Sequence, residues 1–265
     1  MELVGVNNVT LAYAITGEPA ADGLPLVLVH GFMGNARTWA PVLPTLTASR
    51  QVLAYDHRGH GESTNTGDAA SYTFDQLVAD FAALVEQLGL ERFHVLGHSM
   101  GGVVAMRYAI DHPARVASLI PMDTAAQASG DENQAFMRMG IETARSQGMQ
   151  ALADMINAAI PDTPEFAELR DSLRADLLAM DPLAFVAFGE ELLAYPSFLD
   201  RLAGVDLPTT VLVGENDTGL RGAADAMAST IAGAALSIIP GAGHNPHVEN
   251  TTAWLDAVAR HFQRL

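Results

Sequence analysis

The sequence predicts an α/β protein: a mostly parallel, doubly wound central sheet with a helical cap inserted into it. Three observations carry that reading. Short apolar runs alternate with helix-period segments through the first 125 residues, the rhythm of repeated βαβ units. From about residue 126 to 203 the strand signal disappears and the chain turns alanine-, methionine- and acid-rich. Beyond 204 two strand-like runs return before a last helix. A chain of 265 residues, 49% hydrophobic, can bury one substantial core. The expected division is therefore a core domain, 1–125 and 204–265, and a cap, 126–203.

Taken in order, residues 2–15 alternate apolar and polar side chains and break at Asn7-Asn8, which predicts an opening hairpin. "LPLVLVHG", "RQVLAYD", "FHVLGHS" and "VASLIPM" are short, nearly continuous apolar runs, as parallel strands covered on both faces require. Between them Leu77, Phe81, Leu84, Val85 and Leu88 fall at helical spacing after Thr73, an N-cap with Gln76 at the capping-box position. The insert predicts helices near 133–147, 149–159, 164–179 and 182–193, with Pro161, Pro164, Pro182 and Pro196 as breakers. "LPTTVLVG" and "AALSIIPG" supply the returning strands and 248–264 the closing helix. An all-helical insert in such a chain belongs over the carboxyl ends of the strands, where open α/β sheets place their sites.

Fourteen basic against 31 acidic residues give a formal charge of −17, which repels phosphate backbones and anionic membranes. Nucleic acid and membrane are thus not expected partners; a small-molecule substrate is, and a homo-oligomer is compatible with the chain. With no cysteine there are no disulfides, thiolate metal sites or cysteine nucleophiles. The first residues carry no basic leader, and no apolar run reaches the ~18 residues that cross a bilayer, so a cytoplasmic location is the expectation.

"GHSMG", residues 97–101, follows a strand run and precedes a helix run, the context of a nucleophile elbow. Gly97 and Gly101 let strand and helix pass closely, lifting Ser99 above the sheet edge with the Met100 N–H beside it. A serine at its ordinary pKa needs a base, and the base an orienting acid. Asp217 in "VLVGENDTG" and His244 in "IIPGAGHNPHVEN" each lie just beyond a returning strand, so they converge on the same edge. Asp123, after "VASLIPM", competes for the acid role, with capping of the insert as its ordinary alternative. His247 competes for the base. The other histidines read as bland: His98 flanks Ser99, His57 and His60 sit in a polar loop, His112 precedes Pro113, and His261 lies on a surface helix. "VLVHGFMGN" turns on glycine after an earlier strand, so the Phe32 N–H can face that of Met100 across a developing oxyanion.

"HGF" at 30–32, "DHRGHGES" at 56–63, "GHSMGG" at 97–102, "GEND" at 214–217 and "GAGH" at 241–244 follow one another as in α/β-hydrolase-fold proteins, which the chain resembles over nearly its whole length. The resemblance implies Ser99 as nucleophile, Asp217 and His244 as its partners and Phe32 and Met100 as oxyanion donors. It leaves substrate open, because this fold carries many chemistries. Haloalkane dehalogenases and epoxide hydrolases carry aspartate at the elbow, so Ser99 argues against both. "HGFMGNARTW" and "GAGHNPHVEN" are similar to segments of 2-succinyl-6-hydroxy-2,4-cyclohexadiene-1-carboxylate synthase, a lyase whose polyanionic substrate calls for pocket arginines; the insert offers Arg138, Arg145, Arg170, Arg174 and Arg201. The expected function is cofactor- and metal-free hydrolysis of a small to medium ester or lactone through an acyl-enzyme. Carbon–carbon hydrolysis, the lyase reaction and a non-catalytic ligand receptor remain as alternatives. Met137, Met139, Met149, Met155, Met180, Phe136, Phe166, Phe185 and Phe188 are candidates for an apolar pocket or for the core of the cap.

Overall fold

The structure, a computed structural model, describes residues 1–128, 131–160, 162–163 and 167–265. Eight strands, β1 (Glu2–Val6), β2 (Val9–Thr16), β3 (Leu26–Val29), β4 (Val52–Tyr55), β5 (Phe93–His98), β6 (Val116–Met122), β7 (Thr210–Gly214) and β8 (Ala235–Ile239), form one sheet in the order β1-β2-β4-β3-β5-β6-β7-β8. The β1–β2 hairpin turns on Asn7 and Asn8, whose φ angles of 44° and 64° are the left-handed values that asparagine tolerates. Those two strands are antiparallel to their neighbours; from β4 to β8 every pairing is parallel, Val27 for instance lying beside Leu53 of β4 and Val95 of β5.

Helices α1 (Leu43–Thr47), α2 (Phe74–Gln87), α3 (Met100–Asp111), α4 (Asp131–Ala158), α5 (Ala167–Ala179), α6 (Pro182–Ala194), α7 (Leu199–Leu202), α8 (Thr218–Thr230), α9 (Pro246–Glu249) and α10 (Thr251–Gln263) surround the sheet. Strand side chains alternate between two cores. Val27, Val29, Leu53 and Val95 face Leu77, Phe81 and Val104 of α2 and α3, while Leu26, Leu28, Leu96 and Ile120 face Trp39, Trp254 and Val258. All of these but Val258 are fully buried, and burial of one such aliphatic or aromatic side chain contributes about 1.5–3 kcal/mol.

Several local expectations shift. Thr73 caps α2, accepting from the Gln76 N–H at 3.1 Å, but the Gln76 side chain turns forward to Asp80 instead of closing a capping box. The buried Asp80 also holds Arg58 at 2.5 and 2.7 Å, which makes it the stronger acceptor. Pro182 opens α6 as its first residue rather than breaking a helix. The closing helix divides at Asn250, whose side chain caps α10 through Ala253. Pro161, Pro164 and Phe166 lie outside the described residues.

Between β6 and β7 the described chain is helical: α4, broken at Gly148 (φ 84°), packs on α5 and α6. The α6 helix is fastened to the core. Buried Asp181 caps it through the Leu183 N–H and also accepts from Tyr72 Oη–H at 2.5 Å and the Gly67 N–H at 3.1 Å. Glu191 accepts the Phe74 N–H at the start of α2, and Tyr195 Oη, just past α6, donates to the carbonyl of Ala125. Among the described residues no helix is long and apolar enough to cross a membrane.

Candidate active site

Ser99 joins β5 to α3 with φ 52° and ψ −119°, a left-handed conformation disfavoured for a residue with a side chain. Tight packing holds it there. A Cβ on Gly97 would drive into the Gly101 carbonyl, and one on Gly101 into the carbonyls of Val29 and His30 at the end of β3. The Ser99 N–H bonds to the Met122 carbonyl at 2.9 Å, and Thr124 Oγ1–H donates to the Ser99 carbonyl at 2.7 Å. The hydroxyl is half-buried and has no hydrogen-bond partner among the described residues.

The loop after β3 passes against this turn, a Cβ on Gly31 falling 3.1 Å from that of Ser99. It is tied down by Asp56, whose carboxylate accepts the N–H of Ala36 at 2.7 Å and of Glu62 at 2.8 Å. The Phe32 N–H makes no hydrogen bond among the described residues, and Met100 opens α3, where an amide has no intrahelical acceptor. Phe32 itself packs on Phe185 of α6 with ring centroids 5.0 Å apart, so α6 touches the loop after β3.

Asp217 and His244 leave β7 and β8 on the same sheet edge. Asp217 begins α8 yet makes no capping bond with its side chain; its Oδ2 instead accepts from His244 Nδ1 at 2.6 Å. That hydrogen bond leaves His244 Nε2 as the free nitrogen. A helix N-terminus also favours the carboxylate charge. The two loops interlock: the Asn216 N–H bonds to the Ala242 carbonyl at 2.7 Å, and a Cβ on Gly214 would strike the Gly243 carbonyl. Ser99 Oγ makes no hydrogen bond to His244; such contacts often tighten only when substrate is bound.

Asp123, with φ 43°, lies beside the pair, and one donor atom from each of Asp123, Asp217 and His244 falls within 4.8 Å of the others. It does not touch the imidazole nitrogen that Asp217 holds, nor does its carboxylate cap a helix: Oδ1 accepts the Gly214 N–H at 2.9 Å and Oδ2 is buried with no partner. Burial pushes this carboxyl up to about 9 against the opposing pull of the Gly214 N–H, with Asp217 and Glu249 adding to the rise.

Two residues that sequence reasoning passed over hold the His244 loop. Glu249 accepts the N–H on either side of His244, Gly243 at 2.5 Å and Asn245 at 2.8 Å. His98, read as bland, donates from Nε2 to the His244 carbonyl at 2.8 Å, and burial keeps it neutral by driving its pKa well down. The sequence signal for Glu249 was only its place five residues after His244. His247 is fully buried against Trp39 and His98 rather than against Ser99, with its pKa pushed down to about 3 by burial. The "polar loop" histidines His57 and His60 are buried as well, packed around His30 and, for His60, under Phe188 of α6. His261 is buried too, not on the surface.

The arginines between β6 and β7 turn to acceptors of their own: Arg138 to Gln134, Arg145 to Glu190, Arg170 to Asp162, Arg174 to Asp154 and Arg201 to Asp111. Of the proposed pocket residues, Met137 and Met155 pack inside the cap near Gly189 and Gly140, while Phe136 and Met139 are exposed. A cleft of about 860 Å³ between α2 and α6, lined by Tyr72, Glu191 and Tyr195, stands apart from Ser99.

Comparison with known proteins agrees with this architecture. The enol-lactonase of Burkholderia xenovorans LB400 superposes with a TM-score of 0.86 at 26% identity, covering 99% of this chain and 100% of that one. A thermophilic esterase from Thermogutta terrifontis superposes with 0.85 at 29%, covering 100% and 99%. In sequence, a fluoroacetate dehalogenase of Burkholderia sp is 40% identical over 124 residues, 46% of this chain and 40% of the dehalogenase's length. The match to the alpha/beta hydrolase fold runs over residues 25–251, and with it the chain belongs to the alpha/beta hydrolase fold family.

Proposed function

We propose that the chain is a serine hydrolase of uncharged or weakly charged carboxylic esters or lactones, acting through an acyl-enzyme. The observation that supports this is half-buried Ser99 on its strained turn, whose neighbour His98 bonds to the His244 carbonyl at 2.8 Å, together with the Asp217–His244 pair at 2.6 Å. His244 Nε2 takes the Ser99 proton as Oγ attacks the carbonyl carbon, and the N–H groups of Phe32 and Met100 receive the oxyanion. Collapse expels the alkoxide, which leaves with the proton from His244. A water, deprotonated by His244, then attacks the ester of Ser99; the acid departs and the serine regains its proton. Asp217 keeps the Nδ1–H tautomer and stabilises the imidazolium.

The likeness to an enol-lactonase and an esterase supports the substrate class. The paired cap arginines support a substrate without several negative charges, and so weigh against the lyase, even though a Bacillus subtilis (strain 168) protein with the provisional name 2-succinyl-6-hydroxy-2,4-cyclohexadiene-1-carboxylate synthase is 26% identical over 93% of this chain. Under this reading residues 126–203 act as a lid whose α6 shapes the acyl side through Phe185.

A chain-length series of p-nitrophenyl esters beside a lactone panel tests the proposal, together with a fluorophosphonate probe. Saturable multiple turnover and labelling of Ser99 alone are expected. Labelling without turnover would mean a receptor, and labelling at another residue would remove Ser99 as nucleophile.

A further inference from the structure

Asp123 has no part in the mechanism above, and its surroundings ask for one. It stands immediately after β6 with φ 43°, a left-handed value that aspartate and asparagine adopt more readily than most residues with side chains. Oδ1 is committed to the Gly214 N–H, the backbone donor that ends β7. Oδ2 is buried without a partner, and the carboxyl group belongs to the cluster formed with Asp217 and His244. The groups that face it are the Asp217 carboxylate from the start of α8, the His244 imidazole from the loop after β8 and the Glu249 carboxylate from α9. Two bare carboxylates at this spacing, one of them buried, would repel strongly.

We infer that Asp123 is held as a neutral carboxylic acid whose Oδ2–H donates a hydrogen bond to the Asp217 carboxylate, making it a positioning residue for the catalytic acid. This rests on the assignment of Asp217 and His244 proposed above. The arrangement satisfies every atom in the cluster: Gly214 N–H to Oδ1, Oδ2–H to Asp217, and the remaining Asp217 oxygen to His244 Nδ1–H. It fixes the plane of the Asp217 carboxylate from the side opposite the imidazole. Burial favours the same protonation state, since it holds the acid well above the usual carboxylate range. Loss of the proton would set a second negative charge against Asp217, tilt it away from His244 and slow turnover at alkaline pH.

Asparagine can reproduce the geometry, with Oδ1 accepting from Gly214 and Nδ2–H donating to Asp217, and it tolerates positive φ. Leucine cannot. Asp123→Asn is expected to keep kcat within about threefold at pH 7 and to remove the alkaline fall expected of wild type, whereas Asp123→Leu is expected to lose kcat by roughly tenfold or more, the cost of misplacing a catalytic group. The proton itself is read by infrared spectroscopy: wild type at pH 7 shows the carbonyl band of a protonated carboxyl that Asp123→Asn lacks. That band does not depend on turnover, so it decides the inference even if Ser99→Ala proves active and the proposed mechanism falls. Absence of the band in wild type, or equal kcat in the leucine and asparagine variants, would overturn it.

Discussion

Two serine–histidine–aspartate groupings occupy opposite ends of the same sheet. At the carboxyl end are Ser99, His244 and Asp217. At the amino end Ser118 Oγ lies 2.7 Å from His94 Nδ1, and His94 Nε2 lies 3.3 Å from Asp22 Oδ2. The second grouping is the better connected: His261 Nε2 is also 2.7 Å from Ser118 Oγ, and its Nδ1 is 2.8 Å from Thr210 Oγ1. One orientation satisfies the whole chain, with Thr210 O–H donating to His261, His261 to Ser118, Ser118 to His94 and His94 to Asp22. Ser118 is fully buried on ordinary extended strand and its hydroxyl both gives and receives. Ser99 is half-buried, on strained backbone, with an uncommitted hydroxyl beside uncommitted amides. The two serines share residue types and partners of the same kind, and differ in access, in an idle hydroxyl and in the unpaired amides of the loops at the carboxyl end.

The sharpest break between the two ends is the loss of each serine. Ser99→Ala is expected to keep the fold and lose turnover by roughly 10³-fold or more, because no acyl-enzyme can form. Ser118→Ala should leave turnover and probe labelling intact while lowering stability by about 1–3 kcal/mol, since it strands two buried imidazole nitrogens. Hydrolysis assays and thermal melts on both variants check this, and an active Ser99→Ala would erase the distinction.

The aspartates divide in the same way. Asp217→Asn keeps the shape but favours the wrong imidazole tautomer, a change that costs about 10⁴-fold in the protease that serves as the general template. Asp22→Asn removes the charge that faces His94 and Arg50 at 3.3 and 3.5 Å and should leave kcat unchanged. Steady-state rates on the two variants read the difference.

Much of the carboxyl end was legible in the sequence, because its signals are local: the glycines at 97 and 101 and the loops that follow each strand are read from neighbours in the chain. The choice between Asp123 and Asp217 was only weighted there, since both follow strands; the structure separates them by which carboxylate meets His244 Nδ1 and which spends an oxygen on Gly214. The amino end was illegible. Asp22, His94, Ser118, Thr210 and His261 come from five separate segments and share no spacing, so His261 read as surface. His57 and His60 misled for a similar reason: a polar stretch is buried here because α6 covers it.

Acid sharpens the contrast in stability. Burial lowers the pKa of His94 and takes that of His261 down to about 3, so both stay neutral in the folded state. The unfolded chain binds those protons near pH 6.5. At higher pH neither state holds them and they contribute nothing to the pH dependence. As pH falls from about 6.5 toward 3 the unfolded state binds a proton at His261 that the native state refuses, and stability drops by about 1.4 kcal/mol per pH unit for that group, with His94 adding in the same direction. His261→Gln should therefore flatten the fall of unfolding free energy between pH 6 and 4 by about one proton's slope, measured by urea titration at each pH; an unchanged slope would mean that His261 is charged when folded.

The smallest expected effect separates the holders of the two histidines. Glu249 accepts the amides on both sides of His244 with one oxygen each, so Glu249→Gln keeps one acceptor and turns the other into an N–H facing an N–H. The loop around His244 should loosen, and because turnover depends on the placement of its imidazole, kcat should fall by about tenfold. Glu249 is exposed, so the melting temperature should hardly move. Thr210→Val removes the hydroxyl that His261 Nδ1 and Arg264 share, in a buried position at the far end of the strands. There the cost should appear as a melting temperature lowered by a few degrees, the shift that about 1 kcal/mol produces in a domain of this size, with kcat unchanged. If Glu249→Gln lowered stability and spared turnover, Glu249 would belong with Thr210 as a structural fastening, and the precision of the His244 loop would have to come from His98 and Asp217 alone.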